Sequence, residues 1–395
     1  MIRRILSPTT RRLLPLYIAV FFQSIPLWYA TEKIFMLSIG FTTATIGLMV
    51  AIMSVVMLVV ETPSGILADR WSRKGVMMLG AVALLISSVI GYFSFNEPMY
   101  ILSTMFWGVF SALYSGTYDA VIYDTTMEEH GSSKKFEKYL GQFKAVEGAT
   151  FVLGALAGAF IASTFDLREP YVLSIPLIAI SLFFLWKFKE PQLHKAEVSE
   201  PVFKHIRQTF AAVLRNPTLL PVVIAIVGFT VLQEYIFELN QLWFIAVATP
   251  IALYGVINAA IFSSWTTGGL LAARLQSNTS LRILMVVTLT MVVLLIVGRT
   301  YPILLFAQVV LAVCLIAVSV ILAKKMHDQL PSRLRAGSSS VISTVSRIII
   351  IPGSLIFTGL AQSFSIFTAS YMLLGITIVA VLAFMFVVSY KEVRN

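Results

Sequence analysis

Apolar residues in this chain come in runs of about twenty, separated by short polar intervals, which is the length a helix needs to cross a bilayer. Twelve such runs begin near Leu13, Thr42, Gly75, Met99, Lys138, Tyr171, Thr218, Pro250, Leu281, Pro302, Gly337 and Ser365. They leave about 33 residues per run, enough for a membrane helix and a short loop and too few for an extramembrane domain. The longest polar interval, 187–216, separates six runs from six. The pattern therefore predicts an all-α membrane protein of twelve transmembrane helices in two six-helix bundles, 1–186 and 217–395. They are joined by a linker at 187–216, in which Val202 to Leu214 has the apolar and basic spacing of an amphipathic surface helix. Arg3, Arg4, Arg11 and Arg12 before the first run resemble the start of a secretion signal. No small-residue cleavage site follows and eleven more runs do, so the first run is expected to be a retained helix.

Composition agrees with the pattern and narrows the partners. The chain is 58% apolar and 12% charged, with mean hydropathy +0.88; a soluble or disordered chain carries far more polar surface. The formal charge of +10 would suggest nucleic acid if it were clustered on a soluble domain. Instead, with the N-terminus placed in the cytoplasm, 25 of the 29 Lys and Arg residues fall in cytoplasmic segments. Lys33, Arg168 and Arg299 lie outside, and Arg347 lies within a run. This positive-inside bias predicts a multi-pass protein with both termini cytoplasmic and implies no nucleic-acid partner. The single cysteine, Cys314, excludes an intrachain disulfide.

The junction after the second run reads Gly65-Ile66-Leu67-Ala68-Asp69-Arg70-Trp71-Ser72-Arg73-Lys74, and a weaker copy, Gly269-Leu270-Leu271-Ala272-Ala273-Arg274, stands at the same place in the second half. A repeated junction is what a duplicated six-helix unit leaves behind. The first copy resembles the G-x-L-a-D-r-x-G-r-k loop of the major facilitator superfamily, with Ser72 in place of that pattern's second glycine. The resemblance in topology covers the whole chain. It implies two bundles rocking about a central site, a cavity lined by helices 1, 4, 7 and 10, and a cytoplasmic latch. Gly65, Asp69, Arg70 and Arg73 would form that latch with Asp124, Asp69 facing the start of helix 11 near Gly337. Helix 4 carries Ser115-Gly116-Thr117-Tyr118-Asp119-Ala120-Val121-Ile122-Tyr123-Asp124, similar to an S-G-x-x-x-A-x-x-Y-D string in a bacterial group of the superfamily. It lacks the arginine of many drug-proton antiporters. Helix 5 has Gly148, Gly154 and Gly158 without the antiporters' Gly-Pro pair; both departures weaken a drug-antiporter assignment, and close helix packing is the expected role of these glycines.

Charges inside hydrocarbon cost about 2.5–3.5 kcal/mol or more each and default to paired or functional positions. Counting about 1.5 Å per residue along each helix brings Asp119, Glu147 and Arg347 deepest, with Glu234 on helix 7 beside Gln233. Glu61 and Asp124 fall near the cytoplasmic boundary, within reach of Arg70, Arg73 or Lys144. Glu32 and Glu238 are expected at the outer interface in contact with water. The four histidines lie in cytoplasmic loops, so proton coupling would use carboxylates: Asp119 first, then Glu147 and Glu234. Gln23, Trp28, Tyr114, Tyr118, Asp119, Gln233, Glu234 and Arg347 are the expected substrate-binding set. Aromatic walls beside acids suit a lipophilic or cationic solute, with Arg347 either a counter-ion or an anion-binding group.

Gly-Lys never occurs, which excludes a P-loop for ATP. No His or Cys cluster, serine elbow or cofactor signature is present, so no metal, cofactor or enzymatic activity is expected. The sequence thus points to a monomeric secondary transporter of a prokaryotic inner membrane, exporting a small lipophilic or cationic compound against protons by alternating access. Uptake or facilitated diffusion of a nutrient or organic anion is the alternative that Arg347 motivates, and a non-transporting membrane sensor is the alternative from another class.

Overall fold

The computed structural model describes residues 7–191, 219–275, 277–329 and 332–392. The expected linker helix at Val202 to Leu214 lies outside the described residues. So do the side chains of Gly65, Asp69 and Arg70, and the expected contact of Asp69 with the start of helix 11.

Among the described residues the chain is helical: α1 (Pro8–Gln23), α2 (Glu32–Ser38), α3 (Thr43–Arg70), α4 (Arg73–Phe93), α5 (Glu97–Tyr114), α6 (Thr117–His130), α7 (Phe136–Thr164), α8 (Glu169–Lys187), α9 (Leu220–Glu238), α10 (Gln241–Ala246), α11 (Ile251–Arg274), α12 (Asn278–Val297), α13 (Tyr301–Gln329), α14 (Ser332–Ser363) and α15 (Ile366–Glu392). Ten of these helices are long and apolar enough to cross a membrane uninterrupted. The other two expected runs, near Leu13 and Met99, are interrupted. The backbone explains both breaks. In the first run α1 ends at Gln23, Pro26 follows, and a short 3-10 turn at Tyr29–Thr31 leads into α2; a proline has no amide hydrogen to continue the ladder. In the fourth run α5 stops at Tyr114 and α6 restarts after Gly116, whose φ of +73° is the left-handed conformation that glycine adopts without penalty. Pro176 and Pro352 sit inside helices that continue past them.

The chain divides into two compact units. Unit 1 comprises Met1–Phe41, Ile52–Glu197 and Pro250–Ala259, and unit 2 comprises Thr42–Ala51, Val198–Thr249 and Ala260–Asn395. The core of unit 1 is built where α1, α4, α6, α7 and α8 meet, from residues such as Leu13, Leu16, Val20, Met77, Val121, Phe143 and Leu185, all at most 1% exposed. In the same unit, Gly154 and Gly158 of α7 face the break in the first run. A Cβ on Gly158 would fall 1.7 Å from the carbonyl oxygen of Leu27, and one on Gly154 would be 3.2 Å from Ile25. The glycines therefore admit an unwound backbone against α7, while nothing lies within 4 Å of a Cβ at Gly148. Asn258 fastens the same stretch, donating from Nδ2 to the Ala30 carbonyl at 3.3 Å.

Unit 2 is organised around α9, which packs against α13, α14 and α15. The start of α3 belongs to this unit: Ser354 Oγ donates to the Gly47 carbonyl at 3.3 Å and the Thr43 amide to Gln362 Oε1 at 3.0 Å. Large apolar side chains such as Phe160, Leu270, Val286 and Leu382 point outward and are more than half exposed. An outward apolar coat of this kind fits a surface solvated by lipid.

Candidate transport site

In unit 1 the breaks in the first and fourth runs bring five of the expected site residues together. The Tyr114 and Tyr118 rings, expected one turn apart on a continuous helix, lie on either side of the break, with centroids 4.4 Å apart. The hydroxyl of Tyr118 and that of Ser181 on α8 both donate to Gln23 Oε1 at 3.2 Å. The hydroxyl of Tyr114 donates to Glu147 Oε1, and Lys144 holds the other oxygen of that carboxylate at 3.0 Å. Lys144 also stands 3.8 Å from Asp119. Glu147 is 7% exposed, whereas the Asp119 side chain, in the first turn of α6, is 45% exposed. Both acids were expected deep in their spans; Glu147 is buried, whereas Asp119, expected first for proton coupling, is the accessible one.

Trp28 is 3% exposed, its ring stacked on Tyr171 at 5.3 Å and edge-on to Trp107 at 5.0 Å. Its indole nitrogen and the Gln23 amide nitrogen are buried without a hydrogen-bond partner. A buried donor left unpaired costs about 1–3 kcal/mol, so both are groups that gain from a ligand or a water.

In unit 2 the expected residues form a simpler arrangement. Arg347 of α14 donates to Glu234 of α9 at 2.8 Å, with 13% and 26% of their side chains exposed. Gln233 beside it is half-buried. The neighbouring Tyr235 turns inward onto Phe357, 5.2 Å between centroids.

A third cluster lies at the N-terminal end of unit 1. Arg73 is paired with Asp124. Ser72, which stands where the loop pattern has glycine, caps α4 by accepting from the Gly75 amide at 2.9 Å and donates to Glu190 at 2.6 Å. Glu190 also accepts from the amides of Arg73 and Lys74 at 2.6 and 3.3 Å. An acid at the positive end of a helix is well placed, so the departure from glycine substitutes a side-chain cap for a tight turn. Arg12 pairs nearby with Glu128 and Glu129, and Thr9 bonds His130 at 2.9 Å. Lys144, expected to be available to Glu61 or Asp124, is instead committed to Glu147 and Asp119.

The largest difference from the sequence-based expectation is at Glu32 and Lys33. Neither is at a wet interface: they are 4% and 1% exposed, paired with each other, and Tyr100 donates to Glu32 at 2.8 Å. Counting depth along an unbroken first helix misplaced them, because the chain unwinds between Gln23 and Glu32. Glu238 is half-buried. The pairing of Lys144 with Glu147 and the role of Glu190 were also missed. The three-residue spacing of Lys144 and Glu147 on one helix was the available signal for the first; Glu190 lies beyond the end of α8 and gives no periodic signal.

A family model described as Major Facilitator Superfamily matches residues 13–354. Multidrug resistance protein 2 of Bacillus subtilis (strain 168) is 28% identical over 172 residues, 42% of this chain and 42% of that protein. Multidrug resistance protein 3 of the same organism is 28% identical over 134 residues, 34% of this chain and 25% of that protein. The chain thus spans less than half the length of these two relatives. The crystal structure of the nucleoside transporter NupG (D323A mutant) superposes with a TM-score of 0.77 at 15% identity, covering 95% of this chain and 99% of that one. At that identity the likeness concerns the fold.

Proposed function

Given that the chain belongs to the major facilitator superfamily, and is a multi-pass membrane transporter rather than an enzyme, we propose that it exports a small lipophilic or cationic compound in exchange for protons. The observation that carries this reading is the buried Glu147 carboxylate, held by Tyr114 and Lys144 beside the break of the fourth run. Such a carboxylate has two ways to be neutral, by keeping Lys144 as its counter-ion or by taking a proton, and a solute cation competes with both. Competition of a proton and a cation for one acid is the physical basis of antiport. Asp119, half-exposed and also within reach of Lys144, is the group that a cation meets first. Gln23, Trp28, Tyr114 and Tyr118 provide the aromatic and amide wall of the same site.

In this account Arg347 is a counter-ion, since Glu234 already engages it at 2.8 Å, and Glu234 is a second proton-accepting group with Gln233 at its side. The Arg73–Asp124 pair, with Gly65, Asp69 and Arg70, is the cytoplasmic latch. Both termini are cytoplasmic, the protein acts as a monomer, and 1–186 and 217–395 are the two bundles that move by alternating access about the linker 187–216. The relatives' names support export, each reaching over part of its length.

Purified protein in liposomes tests the reading. With the lumen more acidic than the bath, a panel of lipophilic cations should accumulate inside as protons leave, and Glu147→Gln should abolish the response to the gradient. Flux that ignores the pH gradient in the unsubstituted protein overturns the proposal.

A further inference from the structure

Glu32 and Lys33 form a buried ion pair that the site around Glu147 does not use. They occupy the first turn of α2, at the end of unit 1 opposite the Ser72–Glu190 cluster. The hydroxyl of Tyr100, in the first turn of α5, donates to Glu32 Oε1 at 2.8 Å and lies 2.7 Å from the hydroxyl of Tyr171 at the start of α8. Tyr100 spends its one proton on Glu32, so Tyr171 is the donor in the second bond. The three groups make a directed chain, Tyr171 to Tyr100 to Glu32. Tyr171 in turn lies under Trp28. Among the described residues, the titratable groups in contact with Glu32 are Lys33 on its own helix and Tyr100 on α5, with Tyr171 at the start of α8 behind Tyr100. The Arg168 guanidinium lies over the rings of Phe35 and Phe95 at 5.3 and 4.6 Å and donates to the Tyr92 carbonyl.

A buried ion pair is weak support for stability, because two apolar groups of similar volume do as well or better. Ionisable groups inside a membrane span mark ion or proton pathways by default. From these observations we infer that Glu32 is a further proton-binding site of the transporter, apart from Glu147 and Glu234, loaded through the hydroxyls of Tyr171 and Tyr100, with Lys33 as the counter-ion of its unprotonated form. The step balances. Tyr171 takes a proton from a hydronium ion, which ends as water, and passes its own to Tyr100; Tyr100 passes its own to Glu32, and both phenols end neutral, with Glu32 a carboxylic acid beside the Lys33 ammonium. The inference rests on the proton-coupled reading for its role in transport and on the geometry for the binding itself.

Two measurements separate these. Infrared difference spectra of the purified protein between acid and alkaline buffer should contain the C=O stretch of a protonated carboxyl that vanishes in Glu32→Gln and shifts in Tyr100→Phe. If Glu32→Gln folds poorly, the double variant Glu32→Gln/Lys33→Met, which leaves no unpaired charge, serves in its place. In liposomes, gradient-driven accumulation should fall at least tenfold in whichever variant folds. A pH-difference spectrum identical with and without Glu32 overturns the inference. Loss of the band together with flux that ignores the gradient in the unsubstituted protein keeps the proton site and overturns the antiport reading. Loss of the band with fully gradient-driven accumulation in the variant overturns the role in coupling.

Discussion

The two units treat their membrane charges differently. Unit 1 interrupts its first and fourth runs and places charged groups beside each break: Glu32 and Lys33 after the first, Asp119, Lys144 and Glu147 around the fourth. In unit 2 the Arg347–Glu234 pair joins two helices, α9 and α14, that run unbroken through it. An unwound stretch frees backbone groups from the helical ladder, and proteins keep such stretches at membrane depth only where other protein groups or a cavity satisfy them. In unit 1 Asn258 does this for the Ala30 carbonyl, and Gly154 and Gly158 leave room for the unwound stretch. The contrast supports placing the proposed proton and solute chemistry mainly in unit 1, and unit 2 holds a pair that is neutral as it stands.

Substitutions can break that contrast, beginning with the most damaging. Gly158→Leu should remove transport altogether and prevent recovery of a monodisperse protein in size-exclusion chromatography, because even a Cβ meets the Leu27 carbonyl at 1.7 Å. Glu147→Gln should lower gradient-driven accumulation at least tenfold. Glu234→Gln strands Arg347 and should cost several-fold in accumulation and about 3 kcal/mol or more of stability, while Glu234→Gln/Arg347→Gln should recover most of the stability in a thermal-unfolding assay. Were the double variant as unstable as the single one, the pair would not be the self-contained unit described. Gly116→Ala forces a left-handed residue at about 1–2 kcal/mol and should lower Tm by a few degrees. Gly148→Ala, with open space around it, should change neither Tm nor flux, and a fall at Gly148 equal to that at Gly116 would remove the special status of the break.

The helical fold and most of the spans were legible as apolar runs, since burial in lipid demands continuous hydrophobicity and little else. The breaks were not. Ser115 and Gly116 lie in a run that reads as uninterrupted, and Pro26 is as compatible with a kink as with unwinding. That one ambiguity placed Glu32 at the outer interface, because each residue was counted as a helical rise. The pairing of Arg73 with Asp124 followed from matched charges at adjacent helix ends. The cap on α4 did not, since Ser72 read as a lost glycine and Glu190 comes from more than a hundred residues away.

The central claim is that a proton and the solute compete at Glu147. Proton movement measured with a pH-sensitive dye inside liposomes, upon addition of a transported lipophilic cation to the bath, tests it directly. The unsubstituted protein should release protons from the lumen as the cation enters, and Glu147→Gln should release none. Equal proton release by both proteins would contradict the account.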